Sequence, residues 1–215
     1  MKTSGRNTWA VAGALIVSLF IVGRASNASA EESTFGPRAE VSLMGGAQAL
    51  NKNDTALPDR FVNIPAVGTV TYRLTSRLAA EGEFTWMIPI KQSVDVGSGT
   101  SQDRKTPDVL AYQANLRADF PLRAWTPYLA AGAGAVTFLS NTAPDRVPQL
   151  DKSETAFAIN FGGGLAYPLT ERWALRGDVR EFVAFPSNSA AGLSNASGAD
   201  PIWMERGAVG LAYRF

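Results

Sequence analysis

The sequence contains no cysteine and no histidine among its 215 residues. Without cysteine the fold cannot be stabilised by disulfides and has to be held by packing, hydrogen bonds and ion pairs. Without either residue the chain also lacks the usual nitrogen and sulfur ligands of zinc sites and the side chain that most often acts as a general base. These absences argue against metal sites with histidine or cysteine ligands and against a histidine base, and we predict no catalytic site, no metal site and no cofactor.

Long hydrophobic runs are scarce as well. The run from Trp9 to Val22 has fourteen residues, whereas a transmembrane helix needs about 17–25. The run follows a basic segment and precedes the small residues Ala28 and Ala30, which is the pattern of a cleaved secretory signal peptide. We predict that residues 1–30 form this signal peptide and that the exported chain has no transmembrane helix.

The chain also has little net charge. Removal of the three basic residues of the signal peptide from the total of 20 leaves 17 basic and 19 acidic residues. This balance argues against a nucleic-acid partner. No Pro/Ser-rich linker or block of charge divides the remainder, so we predict one domain over residues 31–215.

An aromatic-x-bulky triplet recurs along the chain, beginning at Tyr72, Phe120, Tyr167 and Tyr213. The leading aromatic residues are 48, 47 and 46 residues apart. Before each triplet, apolar and polar side chains alternate over about ten residues, and this period of two is typical of a β-strand. A fixed repeat indicates one supersecondary unit used several times, here a long β-hairpin.

The alternation predicts eight strands, at residues 38–50, 64–74, 78–89, 109–120, 126–139, 155–167, 173–185 and 202–215. Three short turns alternate with four long polar loops at residues 51–63, 90–108, 140–154 and 186–201. Outer-membrane barrels have short periplasmic turns and longer extracellular loops. The predicted fold is therefore all-β, an eight-stranded antiparallel up-and-down transmembrane β-barrel with both termini in the periplasm and a closed polar core.

The two faces of the predicted strands differ in composition. One face is apolar with aromatic residues at the strand ends, as a membrane-facing girdle requires. The other carries acids and arginines, while all four lysines after residue 30 lie in long loops. Because unpaired buried charge is costly and guanidinium groups pair well with carboxylates, we predict an interior charge network of Glu40, Arg73, Glu81, Glu83, Arg117, Asp119, Arg176, Asp178, Arg180, Arg206 and Arg214.

Two questions stay open at this point. The interior charges favour a plug, because the interior of an eight-stranded barrel is just wide enough for side chains, but they could also line a small pore. Glu181 and Glu205 fall on the apolar face if the alternation is unbroken. A β-bulge that reverses the faces is the other explanation for these two residues.

Together these features resemble the small eight-stranded outer-membrane barrels of the OmpA transmembrane domain, OmpX and opacity-protein type. The resemblance covers Arg38 to Phe215 and includes the glycine-alanine run at 130–134. It implies a place in the cell outer membrane, in contact with lipid and lipopolysaccharide. It also implies periplasmic chaperones and the barrel-assembly machinery as partners during biogenesis, with Leu211, Tyr213 and Phe215 as the assembly signal. The enzymes among outer-membrane barrels use an active-site histidine, so the resemblance implies no enzymatic activity here.

The expected function is a structural or surface-interaction role, such as adhesion or envelope integrity. A monomer would exercise it through its extracellular loops. The loop at residues 90–108 is the largest and most polar, and it is the best candidate for a contact surface. A small pore is the alternative, and a soluble periplasmic ligand-binding barrel of lipocalin type is a further one.

Overall fold

The computed structural model describes residues 38–51, 60–95, 101–146, 150–186 and 201–215. The predicted signal peptide, with its cleavage site at Ala28 and Ala30, lies outside these residues. Within the described ranges, no helix is long and apolar enough to span a bilayer.

The described residues form ten strands: β1 (Ala39–Asn51), β2 (Arg60–Arg73), β3 (Leu78–Pro89), β4 (Gln92–Asp95), β5 (Ser101–Arg104), β6 (Val109–Asp119), β7 (Thr126–Phe138), β8 (Glu154–Pro168), β9 (Trp173–Phe185) and β10 (Ile202–Arg214). Eight of them close into a barrel in the order β1-β10-β9-β8-β7-β6-β3-β2. Every pair is antiparallel, and β1 closes the barrel against β10. The predicted eight-stranded antiparallel up-and-down barrel is confirmed.

Two features of the strands differ from the prediction. Strand β2 begins at Arg60 rather than at residue 64, because the inward alternation continues through the buried side chains of Phe61 and Asn63. The second long loop contains a hairpin that the sequence did not predict, in which β4 and β5 form a separate two-stranded sheet. Strands of four residues show too few alternations to be recognised by periodicity.

The pairing of β9 with β10 determines which way Glu181 and Glu205 face. The register runs without interruption from the pair Ile202–Ala184 to the pair Tyr213–Trp173, and Glu205 lies directly opposite Glu181. Both carboxylates therefore lie on the outer face, and no bulge turns them inward.

The interior has two layers. The half nearer the short turns contains the charged side chains, whereas the end nearer the long loops is filled by an apolar cluster of Leu50, Met87, Val109, Ala111, Val136, Phe138, Leu150, Ala156, Ala158, Phe182, Ala184, Ile202 and Met204. The expectation of a polar core throughout is wrong for this end. Both faces of the strands are apolar there, because the inner face packs against itself and against Leu150 from the third long loop.

Candidate functional site

The interior charge network begins near the short turns with a group centred on Arg117. The Nε of Arg117 donates to Asp119 Oδ1 at 2.7 Å, and its Nη1 donates to Glu40 Oε1 at 3.2 Å. Glu40 also accepts a hydrogen bond from Arg214 Nε at 3.0 Å. These contacts join β1, β6 and β10 across the lumen.

Glu81 is the central acceptor of the network. Its carboxylate lies 2.5 Å from Arg176 Nη2 and 2.6 Å from Arg180 Nη2. It also accepts hydrogen bonds from Asn115 Nδ2 at 3.2 Å and from Thr71 Oγ1 at 3.3 Å. Glu81 is on β3 and both arginines are on β9, so this carboxylate fixes two opposite walls of the barrel to each other.

A third group lies closer to the apolar layer. Arg206 Nη1 donates to Glu83 Oε1 at 2.7 Å, and Arg180 Nη1 lies 3.2 Å from Glu83 Oε2. Asp178 accepts from Arg180 Nε and from Arg206 Nη2, each at 3.2 Å. Arg176 lies 3.8 Å from Glu40 and so joins the first group to the second, and Arg180 joins the second to the third through Glu81 and Glu83. The structure therefore brings ten of the eleven predicted charges into one network, with five carboxylates and five guanidinium groups.

Arg73 is the eleventh predicted residue and lies apart from this network. It ends β2 at the mouth of the barrel on the short-turn side, where its side chain is half-buried and lines a small cavity. No carboxylate of the described residues forms an ion pair with it.

Tyr128 is an interior residue of the network that the sequence reasoning missed. Its hydroxyl accepts from Arg176 Nε at 2.9 Å and donates to Asp178 Oδ2 at 3.3 Å. The guanidinium carbons of Arg117 and Arg176 lie 4.8 and 4.9 Å from its ring centroid, within the distance of a cation–π interaction. The signal in the sequence is the alternation of β7, which places Tyr128 on the same face as Ala130.

A glycine makes room for an interior side chain where β8 passes Tyr128. A Cβ atom on Gly164 would collide with the Tyr128 ring and with the carbonyl oxygen of Gly177. Gly207 on β10 has open space instead, because a Cβ atom added there would meet no neighbouring atom within 4 Å.

We therefore expect Gly164→Val to destabilise the barrel by about 3 kcal/mol, at the upper end of the range for overpacking, and Gly207→Val to be tolerated. Urea unfolding of both variants after refolding in detergent would measure this difference. Equal midpoints would show that Tyr128 does not occupy this space.

The long-loop end carries a second candidate site, built around the β4–β5 hairpin. The Gln92 side chain holds the hairpin to β2 with two hydrogen bonds, since it accepts from the Val62 backbone N–H at 3.0 Å and donates to the Val62 carbonyl at 2.9 Å. On the other side, Arg104 Nη1 donates to the Pro144 carbonyl at 2.7 Å. Both strands of the hairpin are therefore held at its base, where Gln92 lies opposite Arg104.

The second and third long loops are also joined to each other directly. The Lys105 backbone N–H donates to the Asp145 carbonyl at 2.8 Å, and Arg146 Nη1 donates to the Thr106 carbonyl at 2.7 Å. Arg146 also forms an ion pair with Asp108 at 3.3 Å. These residues hold the two loops in one surface, on which Asp103 is exposed.

The C-terminal strand displays the residues of the predicted assembly signal on the outer face. Leu211 and Phe215 are exposed, and Tyr213 is partly exposed. The Tyr213 ring lies 5.0 Å from Trp173 and 5.0 Å from Phe215, measured between ring centroids. Three aromatic rings thus form a continuous strip at the short-turn end of β9 and β10.

Solved structures that share this fold include two outer-membrane barrels. Neisserial surface protein A is 12% identical over 82% of this chain and 97% of that chain, with a TM-score of 0.55. The N-terminal β-barrel domain of OprF from Pseudomonas aeruginosa is 13% identical over 84% of this chain and 98% of that chain, with a TM-score of 0.53. Comparison of the sequence with curated proteins gives no match.

The family comparison covers nearly the whole sequence. A family model described as "Outer membrane protein beta-barrel domain" matches residues 13–215, and that range includes every strand of the barrel and both candidate sites. The chain belongs to the outer membrane protein beta-barrel domain family.

Proposed function

We propose that this chain is a monomeric, non-enzymatic anchor in the cell outer membrane that presents its long loops for interaction at the cell surface. Its role is then structural or adhesive, with lipid and lipopolysaccharide around the barrel wall. The observation that carries the proposal is the packing of side chains in the barrel interior. Paired charges fill one half and the apolar cluster fills the other, which leaves the loops as the accessible polar surface.

The proposed orientation places the short turns and both termini in the periplasm. It rests on the difference in loop length, because outer-membrane barrels have short periplasmic turns. Export would follow removal of residues 1–30. The outward-facing residues Leu211, Tyr213 and Phe215 would be recognised by the assembly machinery after delivery by periplasmic chaperones.

Envelope fractionation tests the location. We expect the protein in the outer-membrane fraction, resistant to extraction with high salt, with different gel mobility before and after boiling. Release by salt would favour a soluble periplasmic barrel instead.

The hairpin is the proposed contact surface. Because Gln92 and Arg104 attach it to the rest of the protein, a deletion that keeps both residues can remove it. Replacement of residues 94–102 by a short Gly-Ser linker leaves Gln92 and Arg104 in place, so we expect normal folding and heat-modifiable mobility. We expect bacteria that display this variant to lose adhesion to a cultured epithelial cell layer, relative to bacteria that display the unmodified protein.

Two further variants distinguish the loss of a single exposed charge from the loosening of the joined loops. Asp103→Ala removes one exposed charge and should leave both folding and adhesion nearly intact. The double substitution Arg104→Ala and Arg146→Ala should loosen the joined loops and reduce adhesion without removing the hairpin. Unchanged adhesion in the linker variant would contradict a contact role for the hairpin.

A further inference from the structure

A small cavity opens at the short-turn end of the barrel. It is lined by Arg38, Arg73, Arg117 and Arg214, together with the carboxylate of Glu40. Backbone contacts fix the surrounding strand ends, because the Arg73 N–H donates to the Arg38 carbonyl at 2.8 Å and Glu40 lies opposite Arg214 in the register of β1 and β10. Arg38 just before β1, Arg73 on β2 and Arg214 on β10 therefore lie around the same cavity. Arg117 on β6 reaches it from across the lumen.

Four arginines and one carboxylate line this cavity, and Arg117 is also paired with Asp119 at 2.7 Å. Glu40 is the one carboxylate among the described residues that line it, and it already accepts hydrogen bonds from Arg117 at 3.2 Å and from Arg214 at 3.0 Å. Arg73 has no carboxylate partner among the described residues. A partly buried guanidinium without a counter-charge is costly, and an anion in the cavity would remove that cost.

The short turns around the mouth of the barrel carry further positive charge. They contain the exposed residues Arg77, Arg123 and Arg172, against one acid, Glu171. Clustered charges of one sign raise the local concentration of counter-ions and speed their association. Anions are therefore drawn to this end of the barrel.

We propose that the cavity is a binding site for a phosphate-type oxyanion, with Arg73 as its principal ligand. The centre of a water-sized sphere has about 10 Å³ in which to move in this cavity, which is room for about one water-sized oxygen atom. One oxygen would enter between the guanidinium groups while the rest of the anion stays in the open mouth. Guanidinium forks suit phosphate because they donate parallel hydrogen bonds to its oxygens. The site is independent of the loop function proposed above.

The test uses the full mature barrel, refolded in micelles of a detergent without phosphate. Inorganic phosphate is titrated in one arm and a short-chain phosphatidate, kept as monomers, in the other, each by calorimetry against a sodium chloride reference. Arg73→Gln is compared with Arg123→Gln, a matched turn arginine that does not line the cavity. Gel mobility before boiling confirms that both variants are folded.

We expect at least one probe to bind, with affinity reduced tenfold or more in Arg73→Gln and less than twofold in Arg123→Gln. Binding of inorganic phosphate would identify a soluble anion as a ligand, and binding of phosphatidate alone would identify a lipid headgroup; either result supports the site. Equal losses in the two variants would show diffuse attraction by the charged mouth and would overturn the proposal. Failure of both probes to bind would overturn it as well.

Discussion

Substitution of Glu81 by alanine is expected to cost the folded barrel about 3–5 kcal/mol, the range for removal of one partner from a buried ion pair. Glu81 accepts short hydrogen bonds from Arg176 and Arg180, and its side chain is fully enclosed. Its removal leaves two desolvated guanidinium groups with weaker partners. It also removes the two shortest ion pairs between β3 and β9 and leaves the Arg180–Glu83 pair at 3.2 Å.

Urea unfolding after refolding into lipid vesicles measures this loss. Asp103→Ala, in the exposed hairpin, is the control and should change the midpoint little. The urea midpoints of Asp178→Ala and Asp119→Ala should fall between those of Glu81→Ala and Asp103→Ala. Asp178 contacts two arginines at 3.2 Å, and Asp119 forms its ion pair with Arg117. If Glu81→Ala and Asp103→Ala unfold at the same urea concentration, the charge network does not stabilise the barrel.

Arginine on the outer face should destabilise the barrel according to its depth in the membrane. Leu116 and Leu211 are among the exposed apolar residues of β6 and β10, and an arginine near the bilayer midplane costs about 2–4 kcal/mol. We expect Leu116→Arg and Leu211→Arg to reduce the free energy of unfolding in vesicles by this amount.

A milder pair of substitutions tests the direction of the faces. Leu211 is 47% exposed and its neighbour Ala212 is fully buried, so Leu211→Ser places a hydroxyl against lipid and Ala212→Ser places one in the lumen. We expect Leu211→Ser to be the more destabilising of the two in vesicles. The opposite order would favour a barrel whose apolar face is turned away from lipid.

The sequence predicted the faces of the strands better than the contacts made inside the barrel. Alternation alone assigns Glu81 and Arg180 to the inner face. It does not show that they meet, because they are 99 residues apart and their contact depends on how the barrel closes. Tyr128 was missed for a related reason, since its role depends on the space that Gly164 leaves on the next strand.

The long-loop end was harder to predict because its interactions do not follow a period of two. Gln92 holds the hairpin by using its side-chain amide in place of a backbone group, and no pattern in the sequence indicates this. The apolar layer was also missed, although residues such as Phe138 and Met204 are at inward positions. Both faces of the strands are apolar there, so composition does not distinguish them.

A current measurement in planar lipid bilayers tests the closed lumen most directly. Refolded protein at neutral pH and high salt should give no stable conductance steps above the bare membrane, because the ion pairs of Glu81 and the apolar layer around Phe138 and Met204 close the lumen. Stable, uniform steps from the unmodified barrel would contradict the account and would identify the protein as a small pore.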